Sequence, residues 1–227
     1  MARGNGERER SGASDEAAPG LAGPRRALAR SVVLIGLMGA GKSAIGARLA
    51  TAIGAEFRDS DSEIEAAAAM SIPEIFEAHG EGYFRAGERR VIARLLSEAP
   101  QVISTGGGAF LDAETRRVIR ARACSVWLRA DLDTLVQRTA GRSHRPLLNR
   151  GDPRATLARL IEARYPVYAK AEVVVDSVSG QPHEEMVARL IAALEAAAGF
   201  SGRAERGLRG LARGVGATGW RDGDGGG

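Results

Sequence analysis

The segment Gly36-Leu37-Met38-Gly39-Ala40-Gly41-Lys42-Ser43 constrains this chain more than any other part of it. The apolar run Val32-Val33-Leu34-Ile35 precedes it and a stretch of helical period from Ala44 to Ala52 follows, so the segment is a strand-to-helix turn of the phosphate-binding pattern. Glycines let successive backbone N–H groups turn inward around phosphate oxygens, and the following helix adds its positive end. In such a turn Gly39, Ala40, Gly41, Lys42, Ser43 and Ala44 surround the phosphates, Lys42 reaches the β and γ phosphates, and the Ser43 hydroxyl is a ligand for magnesium. The chain has thirty arginines and two lysines, Lys42 and Lys170. Lysine at position 42 fits a cradle that admits a compact ammonium but not a planar guanidinium.

From Ser31 onward, short apolar runs alternate with longer stretches of helical period. Strands are expected at Ser31 to Ile35, Glu56 to Asp59, Gln101 to Ser104, Cys124 to Arg129 and Glu172 to Val175. Helices are expected near Lys42 to Ile53, Asp61 to Ala69, Gly82 to Glu98, Asp112 to Ala121, Asp131 to Ala140, Pro153 to Tyr168 and Pro182 to Ala198. A short extra helix is signalled by Ser71-Ile72-Pro73-Glu74, a capping box with proline in the first turn. Apolar strands joined by helices describe an α/β fold with a five-stranded parallel sheet covered on both faces. Such sheets bind ligands at the carboxyl ends of their strands.

A triphosphate loop does not by itself name a reaction. No Asn-Lys-x-Asp guanine reader surrounds either lysine, and Gln101-Val102-Ile103-Ser104 runs into Thr105 and three glycines rather than ending on a magnesium-holding acid. The candidate metal partner is therefore at the second strand end, Phe57-Arg58-Asp59-Ser60-Asp61, where Asp59 facing the loop holds magnesium through water. Asp61 either points into an acceptor cavity or, with Ser60 as the other candidate, caps the next helix. Arg85 and Glu88 are three apart and share a helix face, as an oriented guanidinium or as a plain surface ion pair. Gly106-Gly107-Gly108 after the third strand either presents backbone N–H groups to a ligand or is a flexible turn.

In this order the pieces resemble the shikimate kinase family over about Ser31 to Ala197. The phosphate loop, Asp59 and Asp61, Phe84-Arg85 with Glu88, the triple glycine, Arg145-Pro146-Leu147-Leu148 and Arg164-Tyr165-Pro166-Val167-Tyr168 carry the resemblance. It implies the three-layer α/β/α P-loop kinase fold of nucleoside monophosphate kinases. It also implies transfer of the ATP γ-phosphoryl group to the 3-hydroxyl of shikimate, with magnesium as cofactor, in chorismate and aromatic amino acid synthesis. On the same footing Arg85 and Arg164 clamp the shikimate carboxylate, and Asp61 holds the ring hydroxyls and takes the proton of the attacking one. Gly107, flanked by Gly106 and Gly108, adds a backbone contact. Arg145, within a lid at Gly141 to Gly151, stabilises the transferring phosphoryl group, while Arg138 and the stretch Asp176 to Pro182 flank adenine. Three departures stand out: Ala44 lacks a second hydroxyl, Gly87 weakens the helix carrying Arg85, and the adenine-side stretch lacks an arginine found in some relatives.

Charge narrows the alternatives. The formal charge of +4 belongs to the two ends, because residues 1–30 and 200–227 each carry +2 and the part between them is balanced. Those glycine-rich ends are expected as disordered tails around one domain at 31–199. A balanced core disfavours a nucleic-acid binder. No apolar run reaches membrane-span length, and a soluble, cytoplasmic monomer is expected. Cys124 has no partner for a disulfide, and His79, His144 and His183 lack zinc-ligand spacing. A kinase for another hydroxylated metabolite, such as gluconate or a nucleoside monophosphate, and a non-catalytic nucleotide-binding module remain as alternatives.

Overall fold

The computed structural model describes residues 28–140 and 152–197. The expected tails, apart from residues 28–30, and the expected lid at 141–151 with Arg145 lie outside the described residues. The strands are β1 (Ser31–Ile35), β2 (Phe57–Asp59), β3 (Val102–Ser104), β4 (Ala123–Arg129) and β5 (Val173–Asp176). The helices are α1 (Lys42–Ile53), α2 (Ser60–Ala68), α3 (Ile72–Leu95), α4 (Ala113–Arg122), α5 (Leu132–Thr139), α6 (Pro153–Tyr168) and α7 (His183–Ala196), with one 3₁₀ turn at Ala109–Leu111.

All strand pairs are parallel, in the order β2-β3-β1-β4-β5. β1 is central and fully buried, which is why it reads as an unbroken apolar run. Right-handed crossovers put α1 on one face and the helices between β2 and β4 on the other. α7 packs beside α1, and α3 beside α4, completing the three layers. Because β1 is followed by α1 on one face and its neighbour β3 by α4 on the other, the connections diverge at their carboxyl ends, opening the crevice that such sheets use for ligands.

Among the described residues five helices begin with a side-chain cap: Asp59 for α2, Ser71 for α3, Asp112 for α4, Asp131 for α5 and Asp152 for α6. The capping box of Ser71 and Glu74 forms as expected. The short helix at Ser71 and the helix expected from Gly82 are joined, however, into one run over Ile72–Leu95 broken only at Gly80, with φ 77° and ψ 175°. Glycine alone takes that conformation without strain, so the chain bends there and continues. The 3₁₀ turn after the triple glycine was not expected, because a single turn leaves no periodicity to read.

Gly87 lies inside the second half of α3, and a Cβ there would meet nothing within 4 Å. Gly87→Ala is therefore expected to stabilise the protein by ~0.5–1 kcal/mol. A higher urea midpoint with unchanged m-value would show it, and a lower midpoint would mean that this half of α3 tolerates no better helix former.

Candidate active site

After Ile35 the chain turns through Gly36, Gly39 and Gly41, with φ of 146°, 86° and 94°. Lys42 folds back over this turn, its Nζ donating to the carbonyls of Gly36 at 2.9 Å and Leu37 at 3.2 Å. Gly41 caps α1 with no side-chain hydrogen bond, in contrast to the five capped helices. The first-turn N–H donors of α1 thus face the loop, the arrangement that attracts an anion.

Two cavities adjoin the loop. One, of about 340 Å³, is lined by Gly39, Gly41, Ser43, Ala44, Arg138 and Ser177 among others. Arg138, on α5, donates to Ser177 Oγ and to the Val178 carbonyl, both at 2.7 Å, and burial pulls its pKa down. Ser177 is buried and its hydroxyl also donates to Ala40 O at 3.0 Å, fixing the loop against the end of β5. The second cavity, of about 400 Å³, is lined by Asp59, Asp61, Arg85, Glu88, Gly106, Gly107, Gly108 and Arg164 among others. Met38, Lys42 and Ser43 line both cavities.

Asp59 joins the two halves. Its Oδ1 accepts from Asp61 N at 3.0 Å, capping α2, and its Oδ2 accepts from Ser43 Oγ at 2.8 Å. Since Asp59 does the capping, neither Ser60 nor Asp61 is needed for it. Asp61 lines the second cavity. Burial, then the charge of Asp59, push its pKa from 3.8 up to about 6, against the pull of Lys42 and Arg85. At the strand end that lacks an acid, Ser104 Oγ lies 3.3 Å from Ser43 Oγ.

Arg85 is held by Glu88, its Nη1 donating to Oε2 at 2.7 Å, with Glu81 as a second, more exposed partner. The pair is no surface ion pair, because Glu88 is only 2% exposed. Burial raises the Glu88 pKa while the Arg85 guanidinium pulls it down. Arg164 reaches across from α6, donating from Nη1 to the Gly107 carbonyl at 3.1 Å.

The triple glycine answers to these three side chains. A Cβ on Gly106 would stand 2.7 Å from Asp61 Oδ1, one on Gly107 3.2 Å from Arg164 Nη1, and one on Gly108 2.8 Å from Arg85 Cζ. Each glycine makes room for a different charged group. Gly106 N–H also donates to the buried Ser60 Oγ at 3.3 Å, which fixes the start of the turn.

The family model for shikimate kinase matches residues 38–195. A shikimate kinase of Paramagnetospirillum magneticum is 55% identical over 160 residues, covering 70% of this chain and 82% of that protein. Among solved structures, shikimate kinase from Acinetobacter baumannii in complex with shikimate superposes with a TM-score of 0.69 at 34% identity, over 74% of this chain and 93% of that one. The chain belongs to the shikimate kinase family. The P-loop kinase fold and the kinase activity expected from the sequence stand on that membership. A gluconokinase from Sinorhizobium meliloti, 20% identical with a TM-score of 0.52 over 83% of this chain and 100% of that one, shares the fold alone.

Of the residues expected at a shikimate kinase nucleotide site, Gly39, Gly41, Lys42, Ser43, Ala44 and Arg138 line the first cavity. Ala40, within the loop, is buried and outside the lining, and Pro182 stands at the start of α7, also outside it, between Gln181 and His183, which belong to it. Asp59, Asp61, Arg85, Gly106, Gly107, Gly108 and Arg164 all line the second. Ser104 gave no sign in the sequence, since a serine at a strand end has no pattern of its own, and Ser177 stood out only as part of the adenine-side stretch Asp176 to Pro182. Glu88 was visible, but its burial was not.

Ionising Asp61 is unfavourable in the fold, because its pKa there lies above that of the unfolded chain. Its contribution to stability is intact below about pH 4 and is lost as pH rises through about 6. Asp61→Asn is therefore expected to be more stable than the wild type at pH 7.5, by up to about 3 kcal/mol at 1.36 kcal/mol per unit. The advantage should shrink toward pH 4. Thermal midpoints without ligands across that range check this, and equal midpoints at pH 7.5 would contradict it.

Proposed function

We propose that this chain transfers the γ-phosphoryl group of ATP to the 3-hydroxyl of shikimate, with ATP in the first cavity and shikimate in the second. The observation that carries the arrangement is that the two cavities meet at Lys42 and Ser43, so donor and acceptor share one wall. Arg85 and Arg164 clamp the acceptor carboxylate, two guanidinium forks suiting one planar anion. Glu88 fixes Arg85, and Gly106, Gly107 and Gly108 supply a backbone wall close enough to touch the ring. Arg138 borders the base of the nucleotide. Arg145, outside the described residues, is assigned to the charge on the transferring group, within a lid at 141–151.

The acceptor oxygen bonds to the γ-phosphorus as the bond to the ADP oxygen breaks, and the hydroxyl proton passes to Asp61. With a pKa of about 6, Asp61 is ionised at neutral pH and able to take that proton. Lys42 neutralises charge on the β and γ phosphates, which is most of what such a transfer asks of a protein. For magnesium, the pair Ser43 and Asp59, a hydroxyl and a carboxylate 2.8 Å apart beside the phosphate loop, fits a cation held by few protein ligands and completed by phosphates and water. Bound there it would offset phosphate charge. The same reading places the protein in the cytoplasm as a monomer with no nucleic-acid or membrane partner. Among the described residues no helix is long and apolar enough to cross a membrane.

The test is an ADP-release assay with magnesium and a panel of shikimate, gluconate and nucleoside monophosphates. Turnover with shikimate alone, giving the 3-phosphate, is the expected result; none with shikimate sinks the reading. Arg85→Ala should raise KM for shikimate at least about tenfold, an interaction of charged groups being worth ~1.5–3 kcal/mol, with KM for ATP little changed. Asp61→Asn should lose turnover and keep ATP binding, an outcome that a non-catalytic nucleotide-binding module would not produce.

A further inference from the structure

The helix that carries Arg164 also carries two tyrosines whose hydroxyls both end on backbone carbonyls. Tyr165 donates to Ala130 O, at the end of β4, and Tyr168 donates to Gly107 O. Tyr168 is fully buried and lines neither cavity. It lies four residues after Arg164, on the same helix face, so guanidinium and phenol converge on one carbonyl. A carbonyl oxygen has two lone pairs and can accept both. The ring of Trp127 stands edge-on to Tyr168 at 6.0 Å, closing the slot in which the phenol sits.

This double acceptance matters when an anion enters. An acceptor carboxylate competes with Gly107 O for the donors of Arg164. If Arg164 were the carbonyl's sole donor, turning to the carboxylate would strip it and loosen the turn that faces the ring. With Tyr168 in place the carbonyl stays bonded and the turn stays put. Burial pushes the phenol's pKa up, so it remains a protonated donor at neutral pH. The start of the turn is held independently, by Ser60 Oγ on Gly106 N–H.

We infer that Tyr168 is a positioning residue for the acceptor carboxylate: its hydroxyl holds the Gly107 carbonyl and so frees Arg164 to bind the anion. The inference rests on the acceptor reading above. It is tested by Tyr168→Phe, which keeps the ring and removes one oxygen, with kinetics and the ligand-free thermal midpoint measured beside the wild type. KM for shikimate should rise about tenfold, the loss of one hydrogen bond to a constrained acceptor, with kcat and KM for ATP within about twofold. Against an Arg164→Ala background the same substitution should change KM for shikimate less than about twofold, since the guanidinium it frees is gone. Unchanged KM for shikimate, equal effects in both backgrounds, or a collapsed midpoint would each overturn the role, the last by making Tyr168 structural. Wild type that turns over no shikimate would instead overturn the acceptor reading itself.

Discussion

Steric room at the carboxyl end of β3 is what the second cavity, the proposed acceptor half of the site, depends on. Asp61, Arg85 and Arg164 come from three helices, α2, α3 and α6, and each points at a different one of three consecutive glycines. A side chain on any of them would push one charged group away from the others. The cost of three glycines in a row is backbone freedom, and the fold limits it by side-chain hydrogen bonds, Ser60 on Gly106 N–H and Arg164 with Tyr168 on Gly107 O, beside the backbone bonds that Gly106 O and Gly108 O accept from Ala109 and Leu111.

That convergence sets the electrostatics. Two arginines, Lys42 and three carboxylates gather in a cleft within a domain of balanced charge. Asp61 and Glu88 feel burial more than they feel the neighbouring cations, so both shift upward. Asp59 is anchored through both of its oxygens, one on α2 and one on Ser43. The acid nearest the phosphate loop is thus fixed in place, while Asp61, with its pKa raised to about 6, can change protonation near neutral pH.

Much of this was legible in the sequence, though unevenly. The limits of α1 and α6 came from their flanks, a lysine after Gly41 at one and an Asp-Pro start at the other. The proline at position 166 did not end α6, since packing of the helix outweighs one missing hydrogen bond. Less visible were features made by three-dimensional proximity. Capping by Asp59 rather than Ser60 or Asp61 depends on where β2 stops, and neighbouring candidates one residue apart cannot be separated by pattern. Arg85 and Glu88 had the spacing of any exposed pair, and only the packing of α3 against α2, α4 and the 3₁₀ turn makes them an interior one. The triple glycine was read as open backbone, when its larger consequence is the approach of side chains from elsewhere.

The two cavities follow different physical designs, and this explains why one was so much easier to read. The proposed nucleotide side is built chiefly from backbone: left-handed glycines, the start of α1 without a side-chain cap and a lysine threaded over carbonyls. Backbone conformation of that kind demands particular residues in a fixed local order, so a short stretch of sequence declares it. The proposed acceptor side is built from long side chains on separate helices, each locally unremarkable and meaningful only in the company of the others. Phosphate binding can therefore be common to a vast set of proteins, whereas the identity of the acceptor is written in the spacing between α2, α3, the turn after β3, and α6. Changing the acceptor would require moving those elements relative to one another, while the loop between β1 and α1 could remain as it is.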